Sequence, residues 1–114
     1  MGSMFDDKLA QLIDVLERAT GEGRIRWEET DRPSAYMAAV RDQKVVIASK
    51  DDDGQEPYEL AVYSSSGRLI ESFHSDDEGH HGAMGSLHIT ARRNSQGVQK
   101  VIDNLIEYLE PPPF

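Results

Sequence analysis

The sequence predicts an α+β fold: an N-terminal helix, an antiparallel meander of about four to five strands, and one or two C-terminal helices. Three observations carry this. Apolar residues recur at helical spacing near both ends of the chain. Polar and apolar residues alternate through the middle, as in strands with one covered face. The connections between those stretches are short, which suits antiparallel neighbours and not βαβ crossovers. The simplest arrangement lays the terminal helices on one face of the sheet.

The first helix is expected over about residues 4–20. Phe5, Leu9, Leu12, Ile13, Leu16 and Ala19 share one face of a 3.6-residue period. Asp6 and Asp7 complement the helix dipole in the first turn, and Gly21 and Gly23 end the helix. Arg24 to Glu28 alternates, with Ile25 and Trp27 facing the core, and Arg32-Pro33 breaks the run. Ala35 to Arg41 is the next strand, with Tyr36 and Met37 on opposite faces. Asp42-Gln43 is read as a hairpin loop, followed by the β-branched strand Lys44–Ser49. A polar loop, Lys50 to Glu56, leads to the alternating strand Tyr58–Tyr63. Ser64-Ser65-Ser66-Gly67 is a turn, and Arg68–Phe73 pairs behind it.

Residues 74–86 have the composition of a mobile loop. Helical spacing returns with Val98, Val101, Ile102, Leu105, Ile106 and Leu109, and extends backwards to Ala91 and Leu87. Asn94-Ser95-Gln96-Gly97 interrupts it. Two helices are therefore expected, about 86–95 and 96–110, with Ser95 as N-cap. Leu87-His88-Ile89-Thr90 has strand-like content and is the competing reading. Pro111-Pro112-Pro113 stops the last helix. Residues 4–110 are read as one domain, 111–114 as a Pro-rich tail, and Met1-Gly2-Ser3 ahead of Met4 as an expression scar.

Composition excludes several function classes. The 114 residues include no cysteine, which removes disulfides, thiolate metal sites and cysteine nucleophiles. Twelve basic residues stand against 21 acidic ones, a net charge of −9. That disfavours nucleic acid and anionic membrane surfaces, and it favours solubility and a basic protein partner. No run of 18 apolar residues is present, so no membrane span is expected. A cytoplasmic location in a bacterium follows as the expectation.

Several clusters bear on chemistry. All four histidines, His74, His80, His81 and His88, lie within 15 positions beside Asp76, Asp77 and Glu78. Histidine with carboxylate suits zinc, nickel or copper. The spacing matches no metal motif, and an exposed polar loop with incidental histidines is the plainer reading. No cofactor is expected. Asp51-Asp52-Asp53-Gly54-Gln55-Glu56 lacks the register of a calcium-binding loop and reads as a solvated hairpin loop. Glu28, Glu29, Asp31, Glu59 and Glu71 offer carboxylate pairs for glycoside hydrolysis only if they share a sheet face. Ser64–Ser66 sit in a turn without a nucleophile elbow. Arg92-Arg93 is a basic pair able to dock an acidic group, or to balance local charge. Trp27 is assigned to the core. Tyr36 and Tyr63 are the aromatic candidates for an exposed partner-binding surface.

The stretch from Leu12-Ile13 through Ala19-Thr20-Gly21-Glu22-Gly23-Arg24-Ile25-Arg26-Trp27, then Tyr36, Tyr58-Glu59-Leu60 and Ala91-Arg92-Arg93, resembles a group of small bacterial proteins of unknown function. The resemblance implies a shared fold and transfers no catalytic residue. Small size, acidity, the lack of a catalytic constellation and a sheet with one open face place the expected function in binding: a regulator, immunity or chaperone-like adaptor that engages a protein partner. The alternatives are a metal-dependent sensor or enzyme using His74 to His88, and a homo-oligomeric structural domain, with a homodimer as its simplest form.

Overall fold

The structure, a computed structural model, describes residues 4–51, 53, 55–78 and 80–110. The expected expression scar and Pro-rich tail lie outside them. The described residues form helix α1 (Met4–Gly21), then five strands, then three helices. The strands are β1 (Trp27–Glu29), β2 (Ala35–Val40), β3 (Gln43–Ser49), β4 (Tyr58–Tyr63) and β5 (Leu69–His74). They form one antiparallel sheet in chain order, β1-β2-β3-β4-β5. The helices that follow are α2 (Ser75–Glu78), α3 (His81–Ser95) and α4 (Val98–Leu109).

Strand register sorts the side chains into two faces. The pairs Trp27↔Ala38↔Val45 and Tyr36↔Ile47↔Leu60↔Phe73 lie on one face. This face packs with Leu9, Ile13 and Leu16 of α1 and with Met84, Leu87 and Ala91 of α3 as a single core. Side chains alternate along a strand, so Met37, Val46, Ala61, Glu59, His74 and Tyr63 lie on the other face, which carries no helix among the described residues. The hairpin between β2 and β3 turns on Arg41-Asp42, with Gln43 already paired to Val40. Arg41 takes φ +55 there, as mirror-image hairpin turns require at their first position.

Trp27 ties three elements together. Its indole N–H donates to Thr20 Oγ1 at 2.9 Å, and Thr20 Oγ1 donates to the Leu16 carbonyl at 2.7 Å. Its backbone N–H donates to Asn94 Oδ1 of α3 at 2.7 Å. Glu17 of α1 clasps α3 by accepting from Ser86 Oγ at 2.7 Å and Thr90 Oγ1 at 3.1 Å.

Residues 74–86, expected as a loop, are mostly regular. His74 ends β5, Ser75 opens α2, and α3 begins at His81. The loop-like composition is overridden by tertiary bonding. Ser75 is fully buried, and its Oγ accepts the backbone N–H of Tyr58 at 2.7 Å. Lys50 Nζ reaches Asp76 at 3.0 Å, and that hydrogen bond holds the Asp76 carboxyl below its ordinary range. Ser75→Ala removes this buried hydrogen bond and should lower stability by about 1–2 kcal/mol. Urea unfolding of the two proteins checks this, and equal midpoints would refute it.

The region 87–90 is helical, not a strand, because Leu87 and Ala91 bury one helical turn apart against the sheet. Ser95 is the last residue of α3 and not a cap for α4: its Oγ donates back to the Arg92 carbonyl at 2.8 Å. The N-cap of α4 is Gly97, in the left-handed region at φ +63, where glycine carries no Cβ penalty.

Candidate interaction surface

The histidines do not converge. His74 projects from the helix-free sheet face, with Nδ1 3.6 Å from Glu59 Oε2. Arg32 Nη1 lies 3.9 Å from the other oxygen of the same carboxylate. His81 Nδ1 lies 3.7 Å from Glu56 Oε2. His80 precedes α3. His88 belongs to the opposite side of the sheet, buried at 3 % exposure between the rings of Tyr36 and Tyr58, 5.4 and 5.2 Å away. Its Nε2 donates to the Ser34 carbonyl at 2.9 Å. Burial holds the imidazole below the usual histidine range; the Ser34 bond opposes this and the Arg92 charge adds to it. Among the described residues, no group of three or more His, Asp or Glu is placed to hold a metal ion.

The carboxylates are divided between the two faces. Glu28 and Glu59 point to the helix-free side, whereas Glu29 and Glu71 follow the other register. In the loop between β3 and β4, Asp53 accepts from the Gln55 N–H and the Ser49 hydroxyl, both at 2.9 Å. These bonds hold its carboxyl below its ordinary range, and they make it a loop cap.

Tyr36 is not a surface residue. It pairs with Ile47 on the covered face and is buried at 7 % exposure, because the alternation that frees Met37 turns Tyr36 inward. Burial raises its phenol above the ordinary tyrosine range. Tyr63 does lie on the helix-free face, partly exposed beside Lys44. That face is mixed in character. Ala35, Ala48 and Ala61 at its centre are already buried, and Glu59 bridges Arg32 and His74 across it.

Arg92 and Arg93 lie exposed in the last turn of α3, where cations complement the carbonyl end of a helix. Arg93 also borders an open cleft of about 500 Å³ between the end of α1, α3 and the start of α4. Thr20, Thr90, Asn94, Val98 and Ile102 help to line it.

Among the described residues, most of the exposed large apolar side chains are on α4. Val101, Ile102, Leu105 and Ile106 are about half exposed, at 52, 48, 52 and 54 %, and Leu109 and Tyr108 reach 73 and 86 %. The helix packs against α3 and extends from it. Its heptad-like spacing is plain in the sequence, but the same spacing marks core helices, so periodicity alone does not separate the two. Among the described helices, none is long and apolar enough to cross a membrane. Comparison of the chain with protein-family models, curated proteins and solved structures found no match.

Proposed function

We propose that the protein is a non-enzymatic protein-interaction module of the bacterial cytoplasm, and that α4 is its docking element. The observation that carries this is the solvent-facing apolar side of α4. A monomeric protein seldom leaves so many large apolar side chains contiguous and exposed without a binding role. A helix of this kind recognises a partner by laying its i, i+3, i+4, i+7 anchors against an apolar surface. The acidic balance of the chain favours partners whose rim is basic.

Leu105 sits at the middle of the exposed stripe. Leu105→Glu should weaken capture of the partner at least ~30-fold, the effect of losing one central anchor. The fold should be unaffected, because Leu105 lies outside the core. Tagged wild type and L105E serve as baits in host-cell lysate, with circular dichroism confirming that both are folded. Recovery of a protein, whether a second copy of this chain or another chain, by wild type and not by L105E is the expected result. Equal recovery by both baits would remove α4 as the docking element.

A further inference from the structure

We infer that the occupant of the α4 face is α4 of a second copy, packed antiparallel about a two-fold axis through the Asp103–Asn104 peptide bond. This rests on the reading of α4 as a docking element and names its partner. Three observations favour a second copy.

The first is the pattern of α4 itself. Val98, Ile102, Leu105 and Leu109 follow one another at spacings of four, three and four, which makes them the alternating d and a positions of a coiled-coil seam. That spacing reads the same in both directions from the Asp103–Asn104 bond. About a two-fold axis at that bond, residue i meets residue j and j meets i, so this spacing sets apolar residues against apolar residues. In the antiparallel pair, Val98 meets Leu109 of the partner subunit, and Ile102 meets Leu105 of the partner subunit. Every seam layer is then apolar. Lys100 and Glu107 fall on the back of the helix, where they stay in water.

The second is area. At their observed exposures, Val101, Ile102, Leu105, Ile106 and Leu109 present on the order of 500 Å² per copy, below the ~800 Å² per partner of a standard interface, which suits a dimer that forms as concentration rises. A 12-residue helix is also near the length at which an isolated helix is marginal in water, so α4 gains its stability from whatever covers this face.

The third is charge. Two copies at −9 each repel as whole molecules. The surroundings of α4 are balanced, however: Arg92, Arg93 and Lys100 stand against Asp103, Glu107 and Glu110. The repulsion therefore comes from residues beyond the contact, where salt at physiological strength screens it over roughly 8 Å. Self-association should accordingly tighten as salt is raised.

The absence of cysteine allows a direct test. Val98→Cys and Leu109→Cys are made as separate proteins and oxidised alone and mixed. Within one helix these positions are about 16 Å apart, beyond the reach of a disulfide. The expected result is a disulfide-linked dimer from the mixture and little from either protein alone. Light scattering of the unmodified protein at about 100 µM should give a dimer mass. L105E should weaken the dimer on the order of 1,000-fold, because the two-fold axis uses the substitution twice. Efficient cross-linking of either single variant by itself would overturn the antiparallel arrangement. A monomer mass at every concentration and salt, with no cross-link in the mixture, would overturn self-association. In that case the docking reading stands if L105E still loses a captured protein, and falls with the inference if it does not.

Discussion

Trp27→Ala should destabilise the protein by about 3–5 kcal/mol, the range for removing a large buried aromatic side chain. Trp27 has 0 % exposure in the core between α1, α3 and the sheet. Truncation opens a cavity beneath both helices and leaves the Thr20 hydroxyl without its indole donor. The backbone bond from Trp27 to Asn94 depends on β1 staying in register, so it loosens as the cavity collapses. Trp27→Phe separates the two causes, since it keeps most of the ring volume and removes only the indole N–H. It should cost less than half as much. Urea unfolding followed by far-ultraviolet circular dichroism measures all three proteins, since the chain has no other tryptophan to report. A Trp27→Ala midpoint close to wild type would refute the central place given to this residue.

Acidification from pH 7 to 5 should destabilise the wild type through His88. Burial depresses the folded-state pKa of this imidazole below its unfolded value. The neutral form is therefore the one the fold stabilises, and that contribution is complete above the unfolded pKa. Below it the unfolded chain takes up a proton that the folded chain refuses. Stability then falls by up to about 1.4 kcal/mol per pH unit until the folded imidazole itself titrates. His88→Gln should be less stable than wild type at pH 7, because it vacates the space between Tyr36 and Tyr58. Its slope of stability against pH should be shallower by one proton. Parallel slopes for the two proteins would exclude His88 as the source.

The fold was legible because its elements obey local rules. The β-branched content of Lys44 to Ser49 and the alternation of Tyr58 to Tyr63 predict strands, and the recurrence of Leu9, Ile13 and Leu16 predicts α1. Residues 74–86 were hidden because their regular structure depends on distant partners. Ser75 is held by Tyr58 and Asp76 by Lys50, and no local pattern announces either contact. Tyr36 failed as a surface candidate for a related reason: alternation separates it from Met37 without saying which face the helices take. His88 was grouped with the loop histidines by proximity in sequence, although a helix beginning at His81 turns it into the core.

The exposure of α4 was open to a simple count. Five strands about 4.8 Å apart make a sheet roughly 20–24 Å wide, and helices are about 10 Å across, so two helices cover one face. Helix α3 lies across the sheet and α1 packs beside it in the same core. Among the described residues, the apolar stripe of α4 meets α3 and no strand, yet periodicity alone assigns it to the core.

The span between Trp27 and Asn94 bears on how the chain is made. Neighbouring strands of the meander meet soon after each is synthesised. The bond that closes the core joins positions 67 residues apart. During synthesis α1 and the sheet therefore leave the ribosome with their apolar faces unmatched, and α3 arrives late to cover both. Until then the nascent protein resembles an aggregation-prone intermediate more than a folded domain, and the acidic charge it already carries keeps neighbouring nascent chains apart.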